Sequence, residues 1–169
     1  MSSSGRMTSR DRVDELMAQW ADERPDLDHT VMASVGRLVR VSELIDRRFD
    51  RHAARYGLTR NDADVLFTLR RSGPSLPTRL TAGLLVASGT MTARLDRLEA
   101  KGLIERRPNP DDRRSTRIAL TRRGHEVTEE AIGEHVAHEE RLLAGLTKRE
   151  RAQLDDLLRK LLAHVQELD

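Results

Sequence analysis

The residues best suited to chemistry lie between Ser75 and Thr121, and the chemistry they suit is holding a polyanion. Met91, Leu95 and Leu98 recur at helical spacing and commit one side of a helix to core. At about 100° per residue, Thr90, Ala93, Arg94 and Arg97 fall together on another side, with Asp96 and Glu99 expected to turn away. That leaves a small, basic, acid-free face. Ser88 is expected to cap this helix and Gly102 to stop it after Lys101. Ser88, Thr90, Thr92, Ala93 and Arg97 would then read or position a major groove.

Directly after it, Leu103-Ile104-Glu105-Arg106-Arg107 and Arg117-Ile118-Ala119-Leu120 have strand character. Pro108-Asn109-Pro110-Asp111-Asp112-Arg113-Arg114-Ser115 separates them as a charged, turn-forming connection. The prediction is a hairpin with Arg113 and Arg114 near its tip, placed on phosphates or in a narrow minor groove, and with Asp112 fixing the tip by pairing with Arg114.

Other chemistry finds little support. Glu134-His135-Val136-Ala137-His138-Glu139 puts His135 and Glu139 one helical turn apart, but two such ligands need help from elsewhere to hold a metal, and solvated helical His and Glu are far commoner. The chain has no Gly-rich phosphate loop, no GxSxG turn, no HExxH and no cysteine. We expect no enzyme, no cofactor, no metal, and neither a disulfide nor a thiol switch.

The elements that must position these residues are mostly helical. A length of 169 residues suits a single domain with a proper core. Aromatics make up 2% and charged residues 34%, so that core must come from Leu, Val, Ile, Ala and Met on amphipathic helices. Net charge is only +2, yet Arg97, Lys101, Arg106, Arg107, Arg113, Arg114, Arg117 and Arg122 crowd between Arg94 and Arg123, as a phosphate surface requires. No apolar run approaches the roughly 20 residues of a membrane span, and the polar start Met1-Ser2-Ser3-Ser4-Gly5 has no signal-peptide core, so a cytoplasmic location is expected.

In chain order, residues 1–9 read as a flexible start. Val13, Leu16, Met17 and Trp20 predict a short amphipathic helix ended by Glu23-Arg24-Pro25-Asp26, and a longer one follows from about Asp28 to Tyr56, closed by Gly57. Thr59 with Asp62 opens a helix running through Arg71, and Ser72-Gly73-Pro74 breaks it. Pro77 to Leu85 supplies the first helix of a helix-turn-helix, with Val86-Ala87-Ser88 as the turn. Thr121 starts a helix to about Gly145, and Thr147-Lys148-Arg149-Glu150 caps a last one bearing Leu154, Leu157, Leu158, Leu161, Leu162, Val165 and Leu168. That stripe either covers the chain's own core or pairs with a second copy. The expected division is residues 10–56 and 122–169 for dimerisation helices and 57–121 for a DNA-binding lobe.

Leu103-Ile104-Glu105-Arg106, Asp112-Arg113-Arg114-Ser115 and Ala119-Leu120-Thr121, together with Gly57-Leu58-Thr59 entering Val65-Leu66, resemble the MarR family of winged-helix repressors over nearly the whole chain. The resemblance implies a mostly α fold with a small β-hairpin wing, a winged helix-turn-helix in a dimeric MarR-like architecture. It also implies a regulator, a repressor by expectation, that binds double-stranded DNA at a pseudo-palindromic operator with half-sites about 34–36 Å apart. The rival reading is a non-specific architectural DNA-binding protein.

Arg106 shares strand parity with Ile104 and is expected to point toward the core, while Arg94 borders the buried face of its helix. A buried arginine requires an anionic partner, either Asp64 or a bound anion. With Trp20 and the stretch Trp20 to Asp28, these positions resemble the urate-responsive branch of the family, which carries an added N-terminal helix. The resemblance implies a ligand site made by Trp20, Asp64, Arg94 and Arg106 for a small anion, urate or a carboxylate metabolite. Other readings stay open: Trp20 as a core aromatic, Asp64 as a helix-start acid, Arg94 as a DNA contact, and Arg106 paired with Glu105 or a phosphate.

Overall fold

Capping signals account for most of the helix boundaries. The structure, a computed structural model, describes residues 10–84 and 86–168 and, within them, every side chain but that of Arg113. The expected flexible start over residues 1–9, and Leu85 in the expected 77–85 helix, lie outside the described residues. Helices α1 (Arg12–Glu23), α2 (His29–Ala54), α3 (Arg60–Ser72), α4 (Pro77–Gly83) and α5 (Ser88–Ala100) precede strands β1 (Ile104–Asn109) and β2 (Asp112–Leu120), then α6 (Arg122–Leu142) and α7 (Lys148–Gln166). Capping boxes pair Asp11 with Asp14, Thr59 with Asp62, and Thr147 with Glu150, each satisfying amide groups that the first turn leaves open. Gly57, Gly73 and Gly102 take φ of 66°, 73° and 67° where α2, α3 and α5 have ended, a region other residues enter only at a cost. No helix among the described residues is long and apolar enough to cross a membrane.

The chain divides into two units, residues 1–51 and 52–169. In the first, Val13 of α1 is buried beside Gly36 of α2, and Arg37 reaches across to Asp11 at 2.9 Å and to Asp14. Val31, Val35, Leu38 and Val39 of α2 nevertheless stay exposed.

The second unit holds the main core. Val65, Leu66 and Leu69 of α3, Leu80 of α4, Met91, Leu95 and Leu98 of α5, and Ile104 and Ile118 of the hairpin pack there almost free of water. β1 and β2 are antiparallel, with Ile104 opposite Leu120 and Arg106 opposite Ile118. A link that no local sequence pattern predicts joins the loop before α4 to this hairpin. Ser75 N–H donates to Ile118 O at 3.0 Å, and Ile118 N–H returns to Ser75 O at 2.8 Å, so the helix-turn-helix and the wing share one ladder.

Two expectations are corrected here. Ser88 does not cap α5: the chain is already extended at Ala87, which offers no side-chain acceptor, and Ser88 is the first helical residue. The hairpin strands are longer than expected, reaching Asn109 and starting again at Asp112, so Pro110-Asp111 alone makes the turn. Pro108 is tolerated because β1 pairs with β2 on one edge only, and the register shifts between Pro108 and Asn109.

The start of α6 is fixed by close approach. Thr121 donates N–H to Leu103 O at 3.1 Å and its hydroxyl to Gly102 O at 2.7 Å, while accepting Gly124 N–H at 2.9 Å. A Cβ on Gly124 would stand 1.9 Å from Leu103 O, a backbone atom that cannot swing aside. Gly124→Ala is therefore expected to cost about 3 kcal/mol in urea unfolding. A loss under about 0.5 kcal/mol, the size of an ordinary surface change, would show that this junction is soft.

Candidate nucleic-acid interface

The recognition surface starts from the periodicity of α5. Met91, Arg94, Leu95 and Leu98 are buried, which leaves Ser88, Thr90, Thr92, Ala93, Asp96 and Arg97 exposed. Small residues and hydroxyls dominate the first half of that face, where the backbone can come close to base edges. Thr92 spends its hydroxyl proton on Ser88 O at 3.1 Å.

Arg94 departs from the expected reading face. It is 4% exposed and has no ion pair among the described residues, so it faces the interior rather than a groove. Asp96 is exposed and tied to the wing through Arg106. Arg97 is exposed as expected, but its Nη2 is bonded at 3.0 Å to Asp62, a carboxylate that local sequence pattern marks only as a cap.

In the wing, Asn109 organises the tip from a buried position. Its Nδ2 donates to Ser115 Oγ at 2.8 Å and its Oδ1 accepts the Asp111 N–H at 3.3 Å. Asp112 does fix the tip, but through the Arg114 backbone N–H at 2.9 Å rather than by pairing with its guanidinium. Arg107 is held by Glu105 and Arg117 by Asp111, at 2.9 and 2.5 Å. Arg114 is exposed and has no ion pair among the described residues, which leaves its charge uncompensated. The tip roles of Asn109 and Ser115 are not predicted by the sequence pattern. Asn109 followed two residues on by Asp111 carries the only local signal, that of an Asx turn.

Arg106 corrects a further expectation. It shares the face of Ile104 but is exposed, and its guanidinium bonds Asp96 at 2.7 Å and Glu99, both on α5. The anionic partners expected for it were Asp64 or a bound anion; two acids one helical turn apart on α5 supply them instead. Glu105 is taken by Arg107.

Asp64 sits half-buried on α3. Burial raises its carboxyl above the usual range, against the pull of Arg60, Arg94 and His135. A raised value means that the folded chain holds this proton more tightly than the unfolded chain, so the group's stabilisation is present in acid and lost as pH rises through the folded value. Asp64→Asn is expected to raise the urea midpoint at pH 7, with the gap closing toward about pH 4. A gap of the opposite sign would mean that the attraction of Arg94 outweighs desolvation. Trp20 lies on α1 and is 44% exposed, so it is no core aromatic in this chain. His135 lies 3.3 Å from Glu139, with its ring edge-on to Phe67.

Comparison with known proteins bears on these surfaces together. A model of the MarR family matches residues 56–115, from the end of α2 through the wing tip. The chain is 38% identical over 156 residues to the HTH-type transcriptional regulator PecS of Dickeya dadantii (strain 3937), covering 90% of this chain and 94% of that protein. It resembles a mutant of MarR from E. coli complexed with operator DNA, with 31% identity and a TM-score of 0.67 over 85% of this chain and 97% of that one. AbsC, a MarR family transcriptional regulator from Streptomyces coelicolor, shares the fold at 23% identity and a TM-score of 0.76, over 83% and 97% of the two chains. A helix presenting small polar residues, a wing with an open arginine, and identity that runs through both lead to one conclusion: the chain belongs to the MarR family of winged helix-turn-helix transcriptional regulators.

Proposed function

We propose that this regulator represses transcription by binding a pseudo-palindromic operator as a homodimer and releases it when a small anion binds. The observation that carries the DNA half is the pairing of an exposed, small and polar α5 face with Arg114, a wing arginine without an ion pair among the described residues. Ser88, Thr90, Thr92, Ala93 and Arg97 read or position the major groove, while Asp112, Arg113 and Arg114 hold the wing on the backbone or in the minor groove. A two-fold dimer offers two such surfaces to half-sites about one helical turn apart. MarR bound to operator DNA in the similar structure supports this assignment.

Support for an anion comes from Arg94. An arginine only 4% exposed and without an ion pair among the described residues is costly, and a bound anion would offset that cost. We assign Asp64 and Arg94 to the ligand, with urate or a carboxylate metabolite as the class; Arg106 carries less weight, since it already has two acids. The ligand can shift the DNA equilibrium only by its differential affinity for free and bound forms.

The test is binding of the purified protein to the DNA upstream of its own gene at one fixed salt, with scrambled competitor, urate and citrate. A preference of roughly 10³-fold over scrambled duplex, relieved by one anion, is expected. Preference indifferent to every anion removes the ligand from the reading. Equal affinity for both duplexes leaves a non-specific architectural protein.

A further inference from the structure

Among the described residues Asp62 is the one buried acidic side chain, at 1% exposed, and it serves two helices at once. Its Oδ2 accepts the Thr59 N–H at 3.2 Å, closing the box that starts α3. Its Oδ1 accepts Arg97 Nη2 at 3.0 Å, from α5. The main neighbours of α5 are α4 and β1, so this pair ties the recognition helix directly to α3. Arg97 has a second anchor, since its Nη1 donates to Ala93 O at 3.2 Å and lays the guanidinium back along the exposed stripe of Thr90 and Ala93. Even so, the side chain keeps 51% of its surface open. Arginine carries five N–H donors in a rigid fork, and a fork pinned at two points has lost its rotamer freedom before any ligand arrives.

We propose that Asp62 is a positioning residue for DNA recognition: from inside the lobe it holds Arg97 as a preset donor fork beside Thr90 and Ala93, ready for an acceptor on the operator. This rests on the DNA-binding reading above. Asp62 itself touches no DNA, and its effect passes entirely through Arg97.

Asp62→Asn keeps the size and an oxygen for the Thr59 N–H while removing the charge that grips Arg97. Affinities for operator and scrambled duplex, with urea midpoints, would be measured for wild type, Asp62→Asn, Arg97→Ala and the double variant. We expect Asp62→Asn to cut the operator preference about tenfold, Arg97→Ala to cut it at least as far, and the double variant to match Arg97→Ala alone. A merely structural role would move the midpoint and leave the preference intact. An unchanged preference in Asp62→Asn, or losses that multiply in the double variant, overturns the proposal. Should Asp62→Asn fail to fold, Arg97→Lys keeps the charge without the fork; it is expected to lose preference, and wild-type preference there overturns the proposal equally. Wild type that fails to distinguish the duplexes sinks the regulator reading itself, whereas preference in wild type with indifferent variants sinks only Asp62.

Discussion

A chain carrying Leu158→Asp and Leu161→Asp is expected to run as a monomer and to bind a two-half-site operator at least about a hundredfold more weakly than wild type. Leu157, Leu158, Leu161, Leu162 and Val165 of α7 stay 41–64% exposed on the single chain, and no residue of α7 is buried. A stripe of this kind does not remain in water, and a second copy of the chain is the partner that the proposed two-fold operator requires. Acids at its centre remove the apolar gain and set like charges against each other across a symmetric interface. Linkage of two half-site contacts then disappears, although each lobe keeps its own α5 and wing. Light scattering gives the mass and fluorescence anisotropy the affinity; a dimer of undiminished affinity would assign this stripe to something else.

Arg114→Ala is expected to weaken operator and scrambled duplex alike and to make the log–log salt slope shallower by about one. Arg114 has no acid to neutralise it among the described residues, and its backbone N–H is already fixed by Asp112, so a charge is lost without disturbing the turn. Arg107→Ala is the matched control. Its charge is held by Glu105, and it should move the slope far less. An unchanged slope in Arg114→Ala would take the wing out of phosphate binding.

Both predictions rest on side chains that the sequence identifies, but folding supplies the reason for the second. Local pattern gives Arg114 no distinction among the basic residues of the wing; it differs from Arg106, Arg107 and Arg117 because those three engage Asp96, Glu99, Glu105 and Asp111. The ligand residues show the same limit. Strand parity puts Arg106 on the face of Ile104, yet parity describes where a Cβ starts and not where a long, flexible side chain ends.

Chemistry between near neighbours in the chain was legible from the residues alone. Thr59 with Asp62 and Thr147 with Glu150 cap helices because donor and acceptor are three positions apart, and Gly57, Gly73 and Gly102 sit where a helix must end because few other residues accept a positive φ. The burial of Met91, Leu95 and Leu98 follows from helical spacing in the same way, and with it which side of α5 is left exposed. What folding alone settled is how the long charged side chains pair. Arg97 finds Asp62 thirty-five residues away, Arg106 finds Asp96 at ten, and Ser75 joins Ile118 in a ladder that no local pattern announces. Flexible arginines choose among several acids at nearly equal cost, so their partners depend on which helices and strands the apolar core has brought together.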